Sequence, residues 1–186
     1  NSEQDAPNID LQVKTKSGEI THTGQIKYSG SKNTLTGLYS GNSERLKYGL
    51  MLEGDMKGNQ LSKVGGNVNY STEGSDYYSA SFQSDLLNKS HSLDLSAQKR
   101  TSDLSIRGTQ GFDYNQDSGF SSSTEVLGAY HMNNDLSLIG GAQYDYSSQD
   151  GGNILPKIGV QYKNIPTVIT FDPKNNSVSI GITLKF

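Results

Sequence analysis

Ser84, His91 and Gln110 are the residues of this chain whose types suit nucleophilic chemistry. A serine hydroxyl becomes a nucleophile when an imidazole within hydrogen-bond reach takes its proton and a third group fixes the ring tautomer. Ser84 and His91 flank a tight loop at 86–90, which makes them diagonal neighbours on a hairpin. Gln110 faces His91 from the other side. The arrangement departs from a hydrolytic site in that no His-x-Ser spacing occurs and Ser92 takes the opposite parity. His22 and His131 are isolated, with no metal-ligand partner two places on. There is no cysteine, phosphate loop, zinc spacing or nucleotide fingerprint, so neither metal nor cofactor is expected.

The sequence that must position these side chains is organised with a period of two. Amphipathic stretches at 20–29, 34–40, 45–56, 61–71, 77–86, 91–98, 103–114, 121–132, 135–147, 155–163, 166–171 and 177–186 are separated by short breaks rich in Gly, Asn, Asp and Ser. That spacing predicts an antiparallel meander of about twelve strands. One parity of each stretch is apolar, as in Leu46, Tyr48, Leu50 and Leu52, and it carries no Lys, Arg, Asp or Glu. The opposite parity collects Lys27, Lys47, Glu53, Asp55, Lys63, Asp85, Asp94, Arg107, Asp113, Glu125, Asp145, Lys157, Lys163 and Lys185. Two architectures segregate charge this way. A soluble sandwich hides the apolar parity between two sheets, whereas a membrane barrel turns it to lipid, where an Arg or Lys at mid-bilayer costs roughly 2–4 kcal/mol.

Composition sets the outer bounds. With 186 residues, 21 glycines and a mean hydropathy of -0.63, the chain has no apolar run near the ~20 residues that a helical span needs. A formal charge of -3 and the absence of a Lys/Arg cluster give no basis for a nucleic-acid partner.

The aromatics discriminate between sandwich and barrel. With both ends of the meander on one side, Tyr39, Tyr48, Tyr70, Tyr78, Tyr130, Tyr162 and Phe186 fall near one rim, and Tyr28, Phe112, Tyr114, Tyr144, Tyr146 and Phe171 near the other. Strand propensity explains tyrosine in strands but not its clustering at their ends, which two interfacial girdles do explain. The last stretch alternates Val178, Ile180, Ile182, Leu184 and Phe186 with polar or small residues. Ser179, Gly181, Leu184 and Phe186 place in order a polar residue, a glycine two places on, a hydrophobic residue three further and a terminal aromatic. This resembles the closing strand of Gram-negative outer-membrane β-barrel proteins. The resemblance covers that strand alone; it implies recognition by the barrel-assembly machinery and residence among outer-membrane lipids, and it names no activity.

The expected fold is therefore all-β, an antiparallel up-and-down transmembrane β-barrel over 20–186 with short loops, in the bacterial outer membrane. Outer loops at 115–121 and 147–153 are expected to be longer than the inner turns. Residues 1–19, where Ile9, Leu11 and Val13 alternate with Asp10, Gln12 and Lys14, read as a periplasmic arm, a plug or an extra strand.

Such short loops leave selectivity to the lumen, lined by Lys27, Lys47, Glu53, Asp55, Lys63, Asp94, Arg107, Asp113, Glu125, Asp145, Lys157 and Lys163 in near charge balance. The expected function is a narrow passive channel for small hydrophilic solutes. Inward Gly49, Gly65, Gly111, Gly141 and Gly159 either leave space in it or relieve curvature. An alternative lies on the outer face, where Gly108, Gly128 and Gly140, beside Ala142, line up as a dent for a partner's helix, a lipid anchor or a second barrel. An aromatic such as Tyr130 or Tyr162 folded over them would fill it. In that alternative the protein is a structural or assembly partner, whose wall or periplasmic arm docks onto an envelope or export complex. A third reading is lipid modification, since outer-membrane lipid hydrolases place such a serine, histidine and orienting residue on the lipid-facing wall. Proximity to headgroups accounts for His91 as well, and the chain is expected not to be an enzyme.

Overall fold

The computed structural model describes residues 6–163 and 165–182. They form β1 (Asn8–Ser17), β2 (Ile20–Ser29), β3 (Thr34–Asn42), β4 (Leu46–Asp55), β5 (Gln60–Ser71), β6 (Tyr77–Asp85), β7 (Ser90–Arg100), β8 (Leu104–Asn115), β9 (Gly119–His131), β10 (Leu136–Ser147), β11 (Gly151–Tyr162), β12 (Ile165–Asp172) and β13 (Ser177–Ile182). The strands run up and down in one antiparallel sheet, in chain order, with no helix among the described residues.

β2 to β13 fall on the amphipathic stretches of the sequence, and β1 adds a thirteenth strand to the expected count of about twelve. It forms because Ile9, Leu11 and Val13 keep the same alternation. β1 pairs along its full length with β2, from Asn8 opposite Ser29 to Ser17 opposite Ile20.

The chain falls into two compact units. The first holds residues up to 70 with 79–93; the second holds 71–78 with 94 onward. In the first, a row on the polar parity runs Asp10, Lys27, Thr36, Glu53, Lys63 across β1 to β5, so opposite charges meet on adjacent strands. A bulge after Glu53 turns Ser62 inward, where its hydroxyl donates to the Glu53 carbonyl at 2.8 Å. In the second unit, Glu125 lies opposite Gln143, and Gly128 opposite Gly140.

The turns follow a repeated rule. An Asp or Asn at the end of a strand accepts amide hydrogen bonds from the residues that follow: Asp55 from Lys57, Asp85 from Leu87 and Asn88, Asn115 from Asp117, and Asp172 from Lys174 and Asn175. At the turn ends of β6 and β12, the Asn88 side chain donates to the Asp85 carboxylate at 2.8 Å, and those of Asn153 and Asn175 donate to Asp172 at 2.9 and 2.7 Å.

Both expected long loops are short. The connections at 116–118 and 148–150 are three-residue turns, because Gly119 (φ 80) and Gly151 (φ 75) take the left-handed conformation that lets the next strand resume at once.

Among the described residues no apolar side chain is buried. Along β11 the apolar parity, from Ile154 to Tyr162, is exposed, while Asn153, Leu155, Lys157, Gly159 and Gln161 are half-buried. A sandwich hides its apolar parity between sheets; here that parity is the exposed one.

Candidate functional site

The polar face of the second unit holds a bonded cluster. The Lys157 ammonium pairs with the Glu125 carboxylate and donates to Gln143 Oε1 at 2.5 Å. Gln143 Nε2 in turn donates to Asp145 at 2.8 Å and to Ser123 Oγ at 3.3 Å. Asn153 donates to Asp172 at 2.9 Å. In the first unit, Lys63 and Glu53 pair at 3.3 Å, and Gln25 donates to Asp10 at 2.6 Å.

Eleven of the residues expected to line a lumen lie in strands. Lys27 is in β2; Lys47, Glu53 and Asp55 in β4; Lys63 in β5; Asp94 in β7; Arg107 and Asp113 in β8; Glu125, Asp145 and Lys157 in β9, β10 and β11. The structure joins Glu53 with Lys63 and Glu125 with Lys157. Lys163 differs. It sits in the turn after β11 with φ 46, and its ammonium lies 5.4 Å from the centre of the Tyr162 ring on the apolar parity.

On the apolar face of the first unit, Ser84 Oγ and His91 Nδ1 are hydrogen bonded at 2.7 Å. Gln110 belongs to the second unit, where its carbonyl oxygen accepts from the Thr124 hydroxyl and its Nε2 donates to the Gly111 carbonyl at 3.2 Å. His22 is not isolated. Its Nδ1 is 2.9 Å from the Tyr39 hydroxyl and 3.3 Å from that of Tyr48, and its ring stacks on Tyr39 at 6.0 Å. Tyr48 reaches His22 by lying across Gly41, which stands between them in the register. His131 Nδ1 bonds Ser137 Oγ at 2.8 Å on the polar parity, while its Nε2 is buried without a partner. Among the described residues no cluster of three or more His, Cys, Asp or Glu is disposed to hold a metal.

Gly128 and Gly140 are directly opposite, and Gly108 is set two residues along, opposite Val126. Among the described residues no side chain comes within 4 Å of a Cβ placed on any of the three: one at Gly108 or Gly140 would meet nothing, and one at Gly128 would meet the Gly140 carbonyl at 3.8 Å. Tyr130 and Tyr162 leave the dent open, unlike Tyr48 over Gly41, Phe82 over Gly66 and Tyr144 over Gly152.

Phe120 and Ile154 on the apolar face were missed as strand residues because the flanking Ser, Asn and Gly read as loop. Phe120 joins Phe112 and Tyr146, each with ring centres 6.3 Å away, at one end of β8 to β10. The signal was available: Phe120, Ser122, Thr124 and Val126 continue one parity.

Of the closing-strand motif, Ser179 lies opposite Thr170 and Gly181 opposite Val168. Leu184 and Phe186 are outside the described residues, as is Lys185. No protein-family model matches the chain, and no curated protein matches it.

Proposed function

We propose that this chain closes into a transmembrane β-barrel of the bacterial outer membrane and acts as a narrow passive channel for small hydrophilic solutes. One observation carries the reading: along β11 the apolar parity is exposed while the polar parity is half-buried and its Lys157 is paired with Glu125, an arrangement that lipid on the first face and water or paired charge on the second would stabilise. The aromatic groups at strand ends, His22 with Tyr39 and Tyr48 and Phe112 with Phe120 and Tyr146, suit the membrane interfaces. A meander with an odd number of strands closes through one parallel pair.

Turns this short leave no loop to constrict the passage, so selectivity rests on the polar face. Its paired charges, Lys157 with Glu125 and Lys63 with Glu53, favour weak ion preference. The test is planar-bilayer conductance of the chain refolded in detergent. Discrete, weakly selective steps support the channel; a chain that stays monomeric without detergent and never inserts overturns it.

A second reading rests on the uncovered Gly108, Gly128 and Gly140 dent, whose smooth surface suits a protein partner of an envelope or export complex. A photocrosslinker at Gly140 that captures only lipid would reject it.

A further inference from the structure

On the polar face of the first unit, β1 to β6 enclose a cleft of about 560 Å3. Gln12, Thr23, Ser40, Asn67 and Gln83 line it together with one cation, Lys14. Gly49 and Gly65 keep its floor low: a Cβ on Gly49 would meet Asn67 Oδ1 at 2.9 Å, and one on Gly65 the Phe82 carbonyl at 3.3 Å. Leu38 and Met51 add apolar side chains of the same parity, and Gln25, Tyr39, Leu50, Gly66 and Phe82 complete the lining.

The uncharged polar side chains of Gln12, Thr23, Ser40, Asn67 and Gln83 make no side-chain hydrogen bond to another described residue. The contrast lies in the second unit, where Glu125, Lys157, Gln143, Asp145 and Ser123 are bonded to one another. The first unit therefore presents several donors and acceptors, converging from five strands, that are available to a guest.

We propose that this cleft is a binding subsite for a neutral, polyhydroxylated solute of the sugar class. The inference rests on the channel reading for the route by which such a solute reaches the polar face. An amide offers a donor and an acceptor a few ångströms apart, and a sugar hydroxyl needs both. The apolar side chains meet the C–H edges of a sugar ring. A carboxylate or phosphate guest would need more than one strongly hydrated lysine, and a cationic guest finds no carboxylate in the lining. The volume lies within the roughly 300–1,000 Å3 range of small-molecule sites.

The test uses the full chain refolded in a sugar-free detergent, with maltose as the probe and sodium gluconate as the charged comparison. Saturable maltose binding by calorimetry is expected, weakened about tenfold or more in the Asn67→Leu/Gln83→Leu double variant through loss of two hydrogen-bonding groups. Lys14→Gln should change it less than about threefold. No saturable maltose binding by the wild-type chain overturns the proposal, whatever the variants do. So does gluconate binding that exceeds maltose binding and disappears in Lys14→Gln. Conductance is recorded separately: ion steps without maltose binding sink the subsite and leave the channel standing, whereas maltose binding without conductance keeps the subsite and sinks the channel.

Discussion

Lys157 and Ile158 are chain neighbours in β11 and meet opposite environments: the lysine side chain is 12% exposed beside Glu125, and the isoleucine is 66% exposed on the other face. In water this order costs free energy twice, once for uncovered apolar surface and once for sheltering charge. In a bilayer the first cost disappears, and the pairing of Lys157 with Glu125 and Gln143 offsets the second.

Substitution at another adjacent pair tests that inversion. Leu50 is 55% exposed on the apolar face, while Met51 lines the polar cleft. Leu50→Arg should lower folding into liposomes, at a cost of roughly 2–4 kcal/mol near mid-bilayer, and Met51→Arg should insert nearly as well as the parent chain. Protease protection after refolding measures both. Equal loss in the two variants would reject the assignment of faces.

The Lys157 and Glu125 pair sets up a double-mutant cycle. Lys157→Met leaves a sheltered carboxylate without its main partner, at an expected cost of about 1–3 kcal/mol, and Glu125→Gln strands the ammonium in the same way. The double variant should recover much of the loss, giving a coupling that urea unfolding in detergent reads directly. Additive single effects would mean that the pair contributes nothing measurable.

Strand placement was legible because the alternation of Leu46, Tyr48, Leu50 and Leu52 belongs to the chain alone. The ends of strands were less so. Ser121 and Asn153 face the polar side of continuing strands, and the same residue types build turns, so composition could not separate a strand serine from a loop serine. The rotamer that a side chain takes on its face was not legible: Tyr48 folds over Gly41 while Tyr130 leaves Gly128 bare, and that depends on register and local packing rather than residue type. The cleft was hidden for a related reason. Gln12, Ser40 and Asn67 are far apart in sequence and converge only when β1, absent from the expected twelve, is paired to β2.

Gly140 and Gly141 make a sharp local contrast. A Cβ at Gly140 meets nothing, so Gly140→Ala should be neutral or stabilising by up to about 1 kcal/mol through reduced backbone freedom in the unfolded chain. A Cβ at Gly141 would fall on the Val126 carbonyl oxygen and lie 2.9 Å from Leu127 Cδ2, so Gly141→Ala should cost about 1–3 kcal/mol. Thermal unfolding in detergent compares the two. If they are equally tolerated, the close approach of β9 to β10 at this point is not maintained in the folded protein.

Ile106 and Arg107 carry the same test into function. Arg107 has polar parity and lies opposite Leu127, whereas Ile106 is exposed on the apolar face opposite Gly128. If ions pass along the polar face, Arg107→Glu replaces a cation on their path by an anion and should move the reversal potential in a salt gradient toward cation preference, with insertion unchanged. Ile106→Glu alters the opposite face, so it should reduce the number of inserted molecules while leaving the selectivity of those that do insert as it was. A selectivity shift in Ile106→Glu but not in Arg107→Glu would place the ion path on the wrong side of the sheet. No conductance in either variant or in the parent chain would mean that the polar face is a packed, ion-paired interior rather than a passage.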